Sequence, residues 1–272
     1  ELSQVAYLPE RPIGEMVGES VLAHGGVNNS HRADFTWGDH LLRVSAGLDV
    51  DAGQVNALQI LPAIPTPPAA PNAPEAQASY HLPFEGLWWV FWGGETELLN
   101  YHAATSSQRH AYDLVIWKDG ATHRGEGARN EDYWAWGQPV YAPASGTVVS
   151  VENDLADIEP NLSPGERGAG ATPAGNHVVI EAAENEYVFI AHLQRGSVRP
   201  EVGDTLNTGD LIGLTGNSGN TSEPHLHIHV QDSPEVLDIE SNGIPLAFAS
   251  AVVDGEPVED ATPVQGSFVA SP

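Results

Sequence analysis

Three histidines alternate with apolar residues in the segment PHLHIHV, near the C-terminal end of the chain. They are His225, His227 and His229. If this segment is a β-strand, its two-residue period points all three imidazoles to one face. Such a face is poorly suited to an apolar core and indicates a metal site or a proton-transfer site, although a solvated strand would carry the same pattern. Zinc catalysis needs about three nitrogen or oxygen ligands and one open position, and histidines with a carboxylate supply them.

Short apolar runs separated by turn residues surround these histidines. They include LWWVFW, YDLVIW, GTVVSV, HVVIE, YVFIAHL and DLIGLTG. Runs of this length, rich in valine, isoleucine and aromatic residues and bounded by glycine, proline, asparagine or aspartate, are typical of strands. No stretch of a dozen residues keeps a helical period, so we predict an all-β fold for residues 80–250. One run ends with His192, which, taken alone, would more often be a structural histidine.

The composition divides the chain into four parts. Residues 61–79 contain six prolines and many alanines, cannot form a core, and are predicted to be an extended linker. We expect residues 1–60 to form a small accessory β-segment. The chemistry-bearing domain is assigned to residues 80–250. Residues 251–272 are polar apart from scattered valines and are expected to form a C-terminal tail along the edge of the domain.

Charge and composition exclude several classes of function. The chain has 37 acidic residues against 10 lysines and arginines, a formal net charge of −27. Nucleic-acid binding and adhesion to anionic membranes both depend on basic side chains, so both are excluded. No apolar run approaches the roughly 18 residues that a membrane span requires. The chain has no cysteine, which excludes disulfides and thiolate metal sites and fits an exported bacterial protein.

Five segments of the predicted domain follow one another in a specific order. They are QRHAYDLVI, GQPVYAPASGTVV, GNHVVIE, YVFIAHL and GDTLNTGDLIGLTGNSGNTSEPHLHIHV. In order and spacing they resemble the lysostaphin-type, or LytM-like, zinc endopeptidases. The resemblance implies an antiparallel β-sheet domain with a groove, one Zn²⁺ per chain, and hydrolysis of peptide bonds in bacterial peptidoglycan. Its partners would be peptidoglycan peptides, and the protein would be exported to the periplasm or the cell exterior.

The resemblance also implies roles for four residues. In the family the second histidine of the His-x-His pair binds zinc, and this position matches His227, while the carboxylate ligand matches Asp113. His225 and His192 match the two histidines that flank the catalytic water. A neutral imidazole can take a proton from that water, and an imidazolium can stabilise the developing oxyanion. The sequence leaves open which of the two histidines does which.

The remaining zinc ligand departs from the family pattern. The family has a histidine four residues before the aspartate, but this chain has Arg109 there. A guanidinium stays protonated and has no lone pair to donate to zinc. The third ligand must therefore come from elsewhere in the chain, or the site has lost its metal. In the second case, the chain would be an inactive module that binds peptidoglycan or activates a partner hydrolase.

Three other histidines could supply the missing ligand. His102 lies 11 residues before Asp113, and one branch of the family has an Asn-x-His segment ahead of Gln-Arg-x-Ala-x-Asp, which favours His102. His110 is one residue out of register, so it would need a backbone bulge to face Asp113. His229 lies on the same predicted face as His227. We rank His102 first, His110 second and His229 third.

Overall fold

The computed structural model divides the chain into two compact units, residues 1–66 and residues 67–272. Up to residue 62 it describes the backbone alone. The described residues are 16–21, 28–37, 40–49, 54–62, 75–97, 99–160, 162, 172–236, 238 and 240–272. Among them, no helix has the length and apolar character needed to cross a membrane.

The first unit contains a four-stranded antiparallel sheet in which strands that are consecutive in the chain are neighbours. Its strands are β1 (Met16–Val21), β2 (Asn28–Trp37), β3 (His40–Asp49) and β4 (Gln54–Pro62). Because β4 extends to Pro62, the first two residues assigned to the linker by composition belong to a strand. The next twelve residues, 63–74, lie outside the described part of the chain.

The second unit is also built from β-strands. These are β5 (Leu87–Trp92), β6 (Tyr112–Val115), β7 (Pro139–Tyr141), β8 (Gly146–Glu152), β9 (Asn176–Ala183), β10 (Glu186–Leu193), β11 (Thr205–Leu206), β12 (Leu211–Leu214), β13 (Leu226–Gln231), β14 (Gly243–Ile244), β15 (Phe248–Val253), β16 (Glu256–Ala261) and β17 (Phe268–Ala270). Short 3₁₀ turns occur at Tyr101–Ala104 and Asn130–Asp132. The prediction of an all-β fold is confirmed.

One large antiparallel sheet organises these strands. Its order is β11-β8-β9-β10-β13-β6-β5-β17-β15-β16, with β14 paired to β13 beyond this path, while β7 and β12 form a separate pair. The central strands β10, β13 and β6 therefore lie side by side. They carry His192, His227, His229 and Asp113, and His225 directly precedes β13, so the sheet order brings together residues that are far apart in sequence.

The two faces of the central strands have different roles. On one face, Val188, Ile190, Leu226, Ile228 and Leu114 are fully buried in the main hydrophobic core. Each such side chain contributes about 1.5–3 kcal/mol on burial. The residues that alternate with them point to the opposite face, where the histidines lie. The apolar core therefore fixes the register of the strands that carry the polar site.

The sheet continues past residue 250, where the sequence analysis placed the end of the domain. Strand β17 pairs with β5, and β15 pairs with both β17 and β16. Strand β16 is the edge strand, and five of its six residues are exposed. Ala251, Ala261 and Val269 are buried. Residues expected to lie as a tail along the domain edge thus extend the sheet itself.

Candidate metal centre

Asp113 and His227 face each other across two adjacent strands. The antiparallel register of β6 and β13 pairs these two residues directly. Asp113 Oδ1 lies 2.8 Å from His227 Nδ1, and both side chains are buried. Side chains opposite one another in an antiparallel pair lie on the same face and close together, so the backbone pairing by itself accounts for this contact.

His102 reaches the same point from the 3₁₀ turn that precedes β6. Its Nε2 lies 3.1 Å from Asp113 Oδ2. The fully buried Asn100 holds this turn: its Oδ1 accepts from the backbone N–H of His102 at 3.2 Å, and its Nδ2 donates to the carbonyl of Ala111 at 3.0 Å. Asn100 thereby fastens the turn that carries His102 to the chain just before β6.

His102, Asp113 and His227 form a compact group of possible metal ligands. One donor atom from each lies within 4.8 Å of the other two, and all three residues are buried. Among the described residues this is the one such group of three or more. The second ring nitrogen of His102, Nδ1, lies 2.9 Å from Gln108 Oε1. Because Nδ1 donates to this oxygen, the lone pair of Nε2 faces Asp113.

His225 and His192 flank this group. His225 Nδ1 donates to the carbonyl of Glu223 at 2.8 Å, and its Nε2 lies 3.5 Å from Asp113 Oδ1. His192 Nδ1 donates to the carbonyl of Ser218 at 2.8 Å. The ring centroids of His192 and His225 are 4.7 Å apart. Each ring therefore uses Nδ1 to hold its position, which leaves Nε2 for chemistry.

A local backbone distortion turns His192 toward the site. Ala191 pairs with His227, so regular alternation would point His192 to the opposite face of the sheet. Instead, the pairing of β10 with β9 shifts between Ile190 and Leu193, and His192 adopts a φ of 59°. A bulge of this kind changes the direction of a side chain, and positive φ in a residue other than glycine is a strained conformation.

The pKa values of the two flanking histidines are shifted in opposite directions. Burial, together with the nearby imidazole of His225, holds the pKa of His192 well below its usual range. Burial acts on His225 as well, but the Asp113 carboxylate outweighs it and raises the pKa of His225. Burial would raise the pKa of Asp113, yet the imidazoles of His102 and His225 hold this pKa well below its usual range. Asp113 is therefore an ionised carboxylate.

The other histidines considered as ligands lie elsewhere. His110 Nδ1 is 3.2 Å from Glu95 Oε1, and this hydrogen bond is the main cause of the lowered pKa of Glu95. The structure does not bring His110 to the group around Asp113, as expected for a residue one position out of register. His229 does face the site, but its Nδ1 contacts His227 Nε2 at 2.8 Å instead of Asp113.

Arg109 occupies the position of the histidine that the family pattern requires. Its charge contributes to the lowered pKa of Glu95, so its guanidinium acts near that carboxylate. Among the hydrogen bonds of the described residues, its Nε is buried without a partner.

Two cavities lie on either side of the histidine group. One, of about 210 Å³, is lined by His102, His192, His227 and His229 among others. The other, of about 270 Å³, is lined by Asp113, His225 and the aromatic Trp92. Tyr101 and Asn220 line both cavities.

The donor set fits a divalent cation. Two imidazole nitrogens and one ionised carboxylate converge from three separate elements, which is the ligand number of catalytic zinc sites. The outer nitrogens of both ligand rings have hydrogen-bond partners, as metal-binding histidines usually do.

Comparison with known proteins bears on the same region. Residues 131–239 match the family model described as peptidase family M23. The resemblance to lysostaphin-type peptidases is thereby confirmed. The matched region includes His192, His225 and His227 but begins after His102 and Asp113, so the match says nothing about these two residues.

Two relatives and one solved structure illustrate the similarity. The endolysin of Staphylococcus phage 2638A is 45% identical over 97 residues, which cover 35% of this chain and 16% of that protein. Peptidoglycan DD-endopeptidase ShyA of Vibrio cholerae is 29% identical over 111 residues, which cover 41% of this chain and 21% of that protein. The antimicrobial peptidase lysostaphin from Staphylococcus simulans is 16% identical, with a TM-score of 0.33 over 62% of this chain and 52% of that one. The matched part of the chain thus spans only 16% and 21% of the length of these two relatives.

Several positioning residues were missed by the sequence analysis. Gln108 and Ser218 hold the rings of His102 and His192, and Asn100 holds the turn that carries His102. Asn100 and Gln108 stand inside the two segments that favoured His102, Asn-x-His and Gln-Arg-x-Ala-x-Asp, and this was the available signal. The contact of Ser218 with His192 had no such signal because it joins residues through backbone geometry.

Proposed function

We propose that this chain is a zinc-dependent endopeptidase that hydrolyses peptide bonds in bacterial peptidoglycan. The observation that carries the proposal is the convergence of one donor atom each from His102, Asp113 and His227 within 4.8 Å, with His192 and His225 beside them. Zinc supplies Lewis acidity, which polarises a peptide carbonyl and makes a water molecule more acidic. The side chains of the site would meet the other requirements of hydrolysis.

The residues divide this work. His102, Asp113 and His227 would hold the metal. His192 and His225 present Nε2 toward the reacting centre because each donates Nδ1–H to a backbone carbonyl. They are therefore suited to accept a proton from water and to deliver one to the leaving amine. The two cavities would hold the peptide on either side of the scissile bond.

The names of the relatives support the choice of substrate. One is an endolysin and another a peptidoglycan DD-endopeptidase. A wall substrate places the protein in the periplasm or outside the cell of a bacterium. The alternative was an inactive binding or activating module, and it depended on the loss of a ligand at Arg109. His102 offers a third donor, which removes the reason to prefer that alternative.

The test is the zinc content of the purified protein together with hydrolysis of purified peptidoglycan. We expect one zinc per wild-type chain, loss of zinc and of hydrolysis in His102→Ala and His227→Ala, and retention of both in His110→Ala. His110→Ala is the matched control, because it removes an imidazole that faces Glu95. A wild-type protein without zinc after incubation with excess metal would contradict the proposal. So would a His102→Ala variant that keeps its zinc.

A further inference from the structure

Beyond the candidate ligand His227, strand β13 carries two more polar side chains on the same face, His229 and Gln231. His227 Nε2 lies 2.8 Å from His229 Nδ1, and His229 Nε2 lies 3.1 Å from Gln231 Oε1. The exposed fractions of His227, His229 and Gln231 are 3%, 5% and 1%. Phe189, the neighbour of His229 on β10, stacks on its ring at 4.7 Å and 9°. These contacts leave little freedom for the chain of hydrogen bonds.

The direction of this chain is fixed at its far end. Gln231 Nε2 donates to the carbonyls of Ser233 at 2.8 Å and of Glu235 at 2.9 Å. Carbonyls only accept hydrogen bonds, so the amide cannot be reversed, and Oε1 must face His229. Because Oε1 also only accepts, His229 Nε2 carries a hydrogen and donates it.

The hydrogen on His229 Nε2 in turn limits which nitrogen of His227, the candidate ligand, carries a hydrogen. Neither hydrogen-bond partner of His229 is a carboxylate, so a buried positive charge on its ring would have no direct counter-ion. A neutral imidazole with its hydrogen on Nε2 has an accepting Nδ1. His227 must then donate from Nε2, and in the neutral form of His227 the lone pair of Nδ1 points at Asp113.

We infer that His229 and Gln231 are positioning residues that hold His227 in the Nε2–H tautomer and so keep its Nδ1 available as a metal ligand. The inference rests on the proposed zinc function. In the opposite tautomer, Nδ1–H would donate to Asp113 Oδ1 at 2.8 Å, and this hydrogen bond would compete with a metal for both residues. In the Nε2–H tautomer the two facing atoms both carry lone pairs, which favours a shared cation.

A glutamine amide also fixes the tautomer of His102, but here the hydrogen is on Nδ1 and the lone pair is on Nε2. There the amide oxygen of Gln108 receives Nδ1–H at 2.9 Å and leaves Nε2 free. The hydrogen bonds of both candidate imidazole ligands thus lead to a glutamine amide oxygen. The contact is direct for His102 and passes through His229 for His227. Each glutamine selects the tautomer whose free nitrogen faces Asp113.

The test combines zinc affinity with the tautomer of His227. His229→Leu and Gln231→Met remove the acceptor or its orienting partner at similar volume. His229→Asn returns an amide oxygen near the position of Nδ1. Zinc dissociation constants are measured by chelator competition, and histidine tautomers are measured by ¹⁵N NMR on zinc-free protein. His110→Gln is the matched control for loss of a histidine outside the site.

We expect the wild-type His227 to show Nε2–H without metal, and zinc affinity to fall about 10–100-fold in His229→Leu and Gln231→Met. His229→Asn should recover most of the affinity, and His110→Gln should not change it. An Nδ1–H tautomer in the wild type, or unchanged affinity in His229→Leu, would overturn the inference. If a variant fails to fold, the wild-type spectrum still decides.

The two proposals fail in different ways. If the wild type binds no zinc, the proposed function is wrong, while the spectrum of the metal-free protein still reports the tautomer. If zinc binds but the tautomer is the opposite one, the inference alone is wrong.

Discussion

Replacing Asn100 tests whether the site is organised by the turn that carries His102. Asn100 is fully buried, and one side chain connects three parts of the chain. Its Oδ1 accepts from His102 N at 3.2 Å, and its Nδ2 donates to the carbonyls of Ala111 at 3.0 Å and Gly94 at 3.2 Å. Asn100→Ala removes all of these bonds, and two of the partner residues, His102 and Ala111, are buried.

The size of the effect follows from these contacts. Each hydrogen bond contributes about 1 kcal/mol net, so losing three predicts a fall of about 3 kcal/mol in the free energy of unfolding. Asn100→Asp keeps the shape and the acceptor toward His102 but directs a carboxylate oxygen at buried carbonyls. It should therefore destabilise the protein at least as much as Asn100→Ala, because a buried charge without a donor is costly. Zinc affinity should fall about 10–100-fold in both variants, since His102 loses its support.

Urea unfolding of metal-free protein and zinc titration of folded protein measure the two effects separately. Asn207→Ala is the matched control, because the side chain of this exposed asparagine contacts the exposed Asp210, and its effect should stay within about 0.5 kcal/mol. A loss below about 0.5 kcal/mol in Asn100→Ala with unchanged zinc affinity would refute the reasoning. It would mean that His102 is held by other contacts.

Three further predictions concern packing, pH and salt. Gly216→Ala should destabilise the fold, because its Cβ would overlap the backbone of Gln194. Gly213→Ala should destabilise it less, because its nearest contact is the side-chain atom Ser197 Oγ at 3.3 Å, and melting temperatures compare the two variants. Burial lowers the pKa of His177, so its stabilising contribution is fully present above the unfolded pKa of about 6.5 and is lost as the pH falls from there through the folded pKa. His177→Gln should therefore lose less stability than the wild type between about pH 8 and pH 5 in urea unfolding. The net charge of −27 should repel anionic wall polymers, so binding to peptidoglycan should increase with ionic strength; a steady decrease with added salt would refute this.

The histidine-bearing strand was predictable because a strand has a simple period. The alternation of His225, His227 and His229 with apolar residues predicts their common face, and the structure places all three on it. The pairing of His227 with Asp113 was not predictable from local pattern, because it depends on the register between β6 and β13, which are more than 100 residues apart. The resemblance to a family supplied that pair, and the backbone register explains it.

Spacing alone could not identify His102 as the proposed replacement ligand. His102 and His110 are both close to Asp113 in sequence, and Arg109 occupies the position where the family pattern has its histidine. The choice depends on Asn100, which closes the turn at His102, and on Glu95, which binds the ring of His110. Both contacts are made by side chains that had no assigned role in the sequence.

Strand β16 was missed for a different reason. Its residues, EPVEDA, are mostly exposed, so neither face gives the apolar alternation that identifies a strand. It exists because its backbone pairs with β15 at the edge of the sheet. Edge strands are often charged, since charge discourages further pairing, and the acidic residues here agree with that role.

His192 is the position where a local rule fails and the failure itself is informative. A histidine at the end of an apolar strand is usually structural, and alternation would turn this one away from His227. A residue with φ of 59° costs about 1–3 kcal/mol and persists only where its surroundings impose it. Here the backbone N–H of His192 donates to Ala174 and its carbonyl accepts from Gly216, so both sides are fixed. The fold thus maintains a strained backbone whose result is to bring the His192 ring within 4.7 Å of His225, which supports a functional role over a structural one.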